Sequence, residues 1–289
     1  MFIEKVQWQI TGQTEETTEY ITSMNSELTK RLWPISDNHI KKLKEEWYSS
    51  KQQNPYKEKF INHADAWFKS SKLNDLRGWE AFTCKDIIIG CTNFIESICL
   101  KYAWNIQILP SEYSYYSIMG MKSTNPGELK PKIPLLVSVP SWKYCDTDPH
   151  WNDILKECEE KDIDIHIDGC WFQSARNIEF DFDHPNIKSF AMSMSKGLDL
   201  TWNRIGLRWS RQRTIDSITL LNHYGMYNEN LTSCGYFLMN NLDKDYAWNT
   251  HGQSHKTLAE KHGLQETNSI HVLRDNNNNL FGIGKILST

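Results

Sequence analysis

The segment "SMSKGLDLTWNRIGLRW", Ser193 to Trp209, sets Lys196 behind two serines and returns Arg204, followed by Ile-Gly, eight positions later. A lysine amine can condense with an aldehyde and afterwards carry a proton, while an arginine fork suits a phosphate. Each alone is an ordinary surface charge, so the chemistry needs partners. One candidate is Asp168 in "HIDGCW", a carboxylate at what reads as a strand end. Another is Gly90-Cys91-Thr92, a turn whose free backbone N–H groups could take an anion.

These residues need a frame. From about residue 85, short apolar runs ("DIIIG", "NIQIL", "PLLVSV", "IDIHID", "SFAMSMS") alternate with segments of helical period. Ile95, Ile98, Cys99 and Tyr102 repeat on one helix face, and Trp151, Ile154, Leu155 and Cys158 repeat behind Asp148-Pro149. Such alternation predicts an α/β fold, a mostly parallel sheet covered on both faces, with ligands beyond the carboxyl ends of its strands. Gly90, Ser138, Asp168 and Ser193 to Lys196 all fall at such ends. Toward the N-terminus, "WPISDNHIKKLKEEW" predicts a helix capped near Ser36, and the asparagine run at 276–279 predicts a turn.

A formal net charge of −4 over 289 residues gives no electrostatic reason to expect nucleic acid. No apolar run approaches the roughly 20 residues that span a bilayer, and the polar, acidic start is unlike a signal peptide, so the expectation is a cytoplasmic protein. Seven cysteines without a C-x-x-C pair indicate neither a zinc knuckle nor a disulfide framework.

At "SMSKGLDLTWNRIG" the chain resembles the fold-type-I pyridoxal-phosphate enzymes, in particular class I/II aminotransferases of the histidinol-phosphate-aminotransferase-like kind. Ser193, Ser195, Lys196, Arg204 and Gly206 match that family's motif at every position. The resemblance implies a three-layer sandwich with a reduced small domain. It also implies pyridoxal 5'-phosphate as cofactor, a Schiff base on Lys196 and pairing of the ring nitrogen with Asp168. Gly90, Cys91, Thr92, Ser193 and Arg204 would bind the phosphate. "SEYSYY" resembles the segment whose aromatic stacks on the ring, giving Tyr113 that role against its reading as a packed core tyrosine. "NPYKEKF" resembles the segment whose tyrosine reaches the neighbouring subunit's phosphate, which would give Tyr56 that role and make a homodimer. The implied division is 1–55 as arm or small-domain segment, 56–212 as the large cofactor-binding domain and 213–289 as a shortened small domain. The implied reaction is transamination between an amino donor and an oxo-acid acceptor.

The chain departs from the family in three places. Trp171 stands where a tyrosine usually bonds the ring oxygen, and "VSVPSWKYCDTD" replaces the asparagine turn, leaving Ser138 or Ser141 as substitutes. Asp199 and Trp202 occupy positions that are usually small. Beyond Arg213 the only arginine is Arg274, a candidate for the substrate carboxylate or else a charge beside a hairpin turn. These departures admit a lyase, decarboxylase or racemase reaction, or a weakly active homologue. A rival of another class reads His166 and Asp168, with His223, as an iron triad of an oxygenase.

Overall fold

The computed structural model describes residue 28 and residues 34–50, 54–110 and 112–288; most of the expected N-terminal arm lies outside them. Its centre is a seven-stranded sheet built from β2 (Cys84–Ile88), β3 (Gln107–Ile108), β4 (Lys122–Ser123), β5 (Leu135–Ser138), β6 (Ile165–Asp168), β8 (Ile187–Ser193) and β9 (Gly206–Ser210). The order is β2-β9-β8-β6-β5-β3-β4. β9 runs antiparallel to both neighbours and the remaining pairs are parallel, so the expected mostly parallel sheet is present with one reversed strand. A short parallel pair, β1 (Asp75–Arg77) with β7 (Glu179–Asp181), and an antiparallel triplet, β10 (Gln265–Glu266), β11 (Val272–Arg274) and β12 (Leu280–Gly282), lie outside it.

Alternation along the strands makes the three layers. Val137, Ile165, Ile167, Phe190, Leu207 and Trp209 point to one face. There they meet α1 (Asn38–Ser49), α2 (Lys57–Lys69), α5 (Trp151–Glu160) and α7 (Glu229–Asn241) through residues such as Leu43, Phe60, Phe68, Ile154 and Leu238. Leu136 and Ala191 point to the other face, against Cys91, Phe94, Ile95 and Ile98 of α3 (Gly90–Lys101), Tyr116 of α4 (Ser114–Ile118) and Ile218 of α6 (Ser217–His223). Burying the sheet on both sides is what the continuous apolar runs in the sequence require. The helix α8 (Tyr246–His262) joins a third apolar cluster, in which Leu28 and Ile35 pack with Trp248, Leu258, Ile270, Leu273 and Phe281. Early and late parts of the chain thus share one core.

Local chemistry shifts one boundary and explains another. The cap of α1 is Asp37 rather than Ser36: its Oδ1 accepts from the N–H groups of His39 and Ile40 at 2.8 and 3.0 Å. A carboxylate is the stronger acceptor for those unpaired donors. The asparagine turn closes the β11–β12 hairpin, where Asp275 Oδ1 accepts from the N–H groups of Asn277 and Asn279, each at 2.8 Å.

Candidate functional site

Four sheet positions bring the singled-out residues together at the carboxyl ends of the strands. Ser138 ends β5, Asp168 ends β6, Ser193 ends β8, and Gly90 opens α3 directly after β2. Ser138 and Asp168 are register partners, and Asp168 is in turn opposite Ala191, two residues before Ser193.

Asp168 is 5% exposed. Its Oδ2 accepts from the Tyr116 hydroxyl at 2.8 Å and its Oδ1 from the Cys170 N–H at 3.0 Å. Burial pushes the carboxyl above its usual range, against the bonds from Tyr116 and Cys91 and the positive charge of Lys196. No cation is ion-paired with it among the described residues, so a buried carboxylate here is short of a positive partner, which a protonated ring nitrogen would supply. Lys196 sits just beyond β8 with its Nζ 4.8 Å from the centroid of the Trp171 ring. Trp171, standing where a tyrosine would bond the ring oxygen, therefore offers its face to the Lys196 amine. The rings of Trp142 at 6.2 Å and His271 at 5.6 Å pack against Trp171.

The third corner has the character of an anion cradle. Arg204 Nη2 donates to Thr92 Oγ1 at 2.7 Å, while Arg204 Nε and Ser195 Oγ are buried with no partner. Gly90 has φ +72°, and a Cβ there would lie 2.9 Å from Arg204 Nε. Only glycine both adopts that backbone and leaves the guanidinium in place. Adjacent backbone N–H groups at the start of α3 add the donors that a phosphate requires. The orphaned donors and the crowded glycine both fit a phosphate group.

The other sequence candidates fall as follows. Tyr113 is 51% exposed at the mouth, stacked on Tyr115 with centroids 6.0 Å apart, and its hydroxyl lies within electrostatic reach of Cys170, Arg204 and Asp168. It is not a core tyrosine. Tyr56 is 66% exposed at the start of α2. Arg274 lies on β11, with Nη2 donating to the carbonyls of Lys143 and Tyr144 at 3.0 and 2.8 Å, so it braces the "WKYC" segment behind Trp142. Ser141 bonds to Asp146 through its backbone, leaving Ser138 as the serine beside Asp168. Trp202 is exposed and Asp199 pairs with Lys44 at 3.2 Å, which explains how large or charged residues fit there: they line a surface loop.

The iron-triad reading fails on geometry. His166 uses both ring nitrogens, Nδ1 with Ser189 Oγ at 2.7 Å and Nε2 with the Tyr102 hydroxyl at 3.0 Å, and His223 is exposed at the end of α6. No group of three His, Cys, Asp or Glu residues suited to a metal occurs among the described residues.

The roles of three residues escaped the sequence reading. Tyr116, one turn after Tyr113, holds Asp168 and also shares a hydrogen bond with Ser138 Oγ at 3.1 Å. Gln173 lies behind Gly197 with both ends of its amide buried and unpartnered. Glu112 Oε1 accepts from the Ser138 N–H at 3.0 Å while Oε2 is buried without a partner. Burial, aided by the Asp168 charge, pushes the Glu112 carboxyl from its usual 4.5 up to about 7, despite the bonds from Ser138. A raised carboxyl favours folding below its unfolded value, and that contribution is lost as pH rises through the folded one. Between about pH 4 and pH 8, Glu112 is expected to withdraw ~3 kcal/mol of stability. Glu112→Gln keeps an acceptor for Ser138 and removes the titration. Urea unfolding across this range should show the variant gaining on the parent as pH rises; parallel curves would refute the assignment.

The architecture is aminotransferase fold type I. Similar solved structures include a pyridoxal-phosphate-bound C–S lyase from Staphylococcus hominis crystallised with L-cycloserine, at TM-score 0.63 and 11% identity over 94% of this chain and 79% of that one. They also include tyrosine aminotransferase from Leishmania infantum (0.55, 13%, 83% and 78%) and an aspartate aminotransferase double mutant from Thermus thermophilus (0.59, 10%, 83% and 74%). No protein-family model and no curated protein sequence matches the chain.

Proposed function

We propose that this chain binds pyridoxal 5'-phosphate through Lys196 and acts as an aminotransferase on an amino acid or related amine. The observation that carries the reading is the convergence of Lys196, the cation-poor buried Asp168 and the Arg204–Thr92 cradle at one sheet end. The bound cofactor would supply an electron sink for carbanion chemistry at the substrate α-carbon. Asp168, held by Tyr116, would keep a proton on the ring nitrogen. Arg204, Thr92, Ser193, Ser195 and the N–H groups at the start of α3 would hold the phosphate. Tyr113 at the mouth would cover the ring, and Lys196 would move the proton at the α-carbon.

A second reading is a lyase, decarboxylase or racemase reaction in the same frame, favoured by the C–S lyase among the neighbours. Arg274 is the one guanidinium in sequence after Arg213, and its Nη2 is bonded to the backbone carbonyls of Lys143 and Tyr144. We also read exposed Tyr56 as reaching a second subunit in a homodimer, with residues 56–212 as the large domain and the cluster around Trp248 as the core of the smaller one.

Protein reconstituted with pyridoxal 5'-phosphate should turn yellow, and borohydride should fix the cofactor to the peptide containing Lys196. An amino donor with an oxo acid should then yield a new amino acid. A colourless, unlabelled protein would end the cofactor reading. Ammonia, carbon dioxide or inverted donor in place of a new amino acid would end the aminotransferase reading and leave the cofactor reading standing.

A further inference from the structure

At the opposite end of the sheet is a cleft of about 360 Å³ that the proposed reaction does not use. It opens where β6 and β8 begin and antiparallel β9 ends, so Asp164, His166, Lys188, Ser189, Arg208 and Ser210 line it, with Lys101 from the last turn of α3 above them. Its size is within the range of small-ligand sites and equals the volume of about a dozen waters. The wall facing α3 is polar where the same sheet face is apolar nearer the strand centres.

The hydrogen bonds show which groups are already committed. Asp216 accepts from Arg208 Nη1 and from Thr214 Oγ1, and Asp86 accepts from Arg208 Nη2 at 2.6 Å. Asp164 faces Lys188 Nζ at 3.4 Å and accepts from the Tyr102 hydroxyl at 3.3 Å. Arg211 donates from Nε to the Ile187 carbonyl and from Nη2 to Asp183 and nearby carbonyls. Among the cationic groups of the lining, Arg208 Nε is buried with no partner in a side chain only 2% exposed, and Lys101, its Nζ 4.9 Å from the centroid of the Tyr102 ring, makes no ion pair with a carboxylate among the described residues. Both lining carboxylates are engaged. The lining sets Lys101, Lys188, Arg208 and Arg211 against Asp164 and Asp216, an excess of positive charge that an anion would answer and a cation would not.

We infer that this cleft is a second ligand site, separate from the proposed cofactor site, that takes a compact anion bearing a carboxylate or phosphate group. The test is calorimetric titration of the full-length protein with inorganic phosphate and with citrate, in the parent, Lys101→Glu and Arg204→Ala. Lys101 is exposed, so its reversal should leave the fold intact, which circular dichroism would check. Saturable binding of at least one probe, weakened about tenfold or more by Lys101→Glu and unchanged by Arg204→Ala, is the expected result. Binding of citrate alone would assign carboxylate chemistry, and binding of both would assign recognition of charge. Absence of saturable binding up to about 10 mM, or binding indifferent to Lys101→Glu, would overturn the inference. So would binding lost in Arg204→Ala, which would assign the heat to the cradle at α3. None of these outcomes depends on the cofactor reading.

Discussion

Lys196→Ala is expected to lower turnover of the cofactor-loaded protein by at least about 10²–10⁴-fold, the range contributed by one positioned acid–base group. It is also expected to abolish borohydride labelling. Lys196 is only partly buried and sits on a loop, and the contact it gives up, with the face of Trp171, is worth about 0.5–1 kcal/mol at such a site. The variant should therefore fold and still hold phosphate through Arg204 and Thr92, separating loss of chemistry from loss of structure. Lys196→Arg keeps the positive charge over Trp171 but has neither a nucleophilic amine nor a usable proton, so it should be as inactive as the alanine variant. Added small amines should restore part of the rate in Lys196→Ala by carrying the proton, and none in Lys196→Arg, where the guanidinium fills their place. Turnover of Lys196→Ala within tenfold of the parent, measured as new amino acid formed, would remove Lys196 from the reaction.

The site positions legible from sequence are those written in a few consecutive letters. Lys196, Arg204 and Gly90 each sit in a short motif at a strand end, and the alternating periodicity placed those ends correctly. The bonds of Tyr116 and Glu112 were not legible, because they depend on Ser138 being opposite Asp168 across two strands, which no local pattern encodes. The packing of Trp171 was hidden for a related reason: one of the rings against it, His271, comes from the other end of the chain. Periodicity reports which face of a strand is buried but carries no direction, so the reversal of β9 could not be read, although it is what sets Ser210 beside Ser189 near the start of β8 and Arg208 beside Ala191. His166 shows the opposite failure. Its placement on the same strand face as Asp168 was correct, and the metal reading failed because Ser189 and Tyr102 already occupy both ring nitrogens.

That same enclosure makes His166 a source of acid sensitivity in the fold. The ring is 1% exposed, and burial holds it from its usual 6.5 down to about 3, with the charges of Lys101, Arg208 and Lys188 acting in the same direction. A histidine lowered in this way binds protons in the unfolded chain before it does in the folded one. Its contribution is fully present above about pH 6.5 and is lost as pH falls toward 3, for a total of ~5 kcal/mol. That is comparable to the whole stability of many domains. His166→Asn keeps a polar group for Ser189 and removes the titration; losing the bond to Tyr102 should cost about 1–3 kcal/mol at neutral pH. The two curves of unfolding free energy against pH should therefore converge on acidification and cross before pH 4, the variant being the more stable below the crossing. Denaturant unfolding at half-unit pH steps measures this. Curves that fall in parallel between pH 7 and 4 would mean that His166 accepts a proton in the folded protein at an ordinary pH, and that Tyr102 and Ser189 do not enclose it as described.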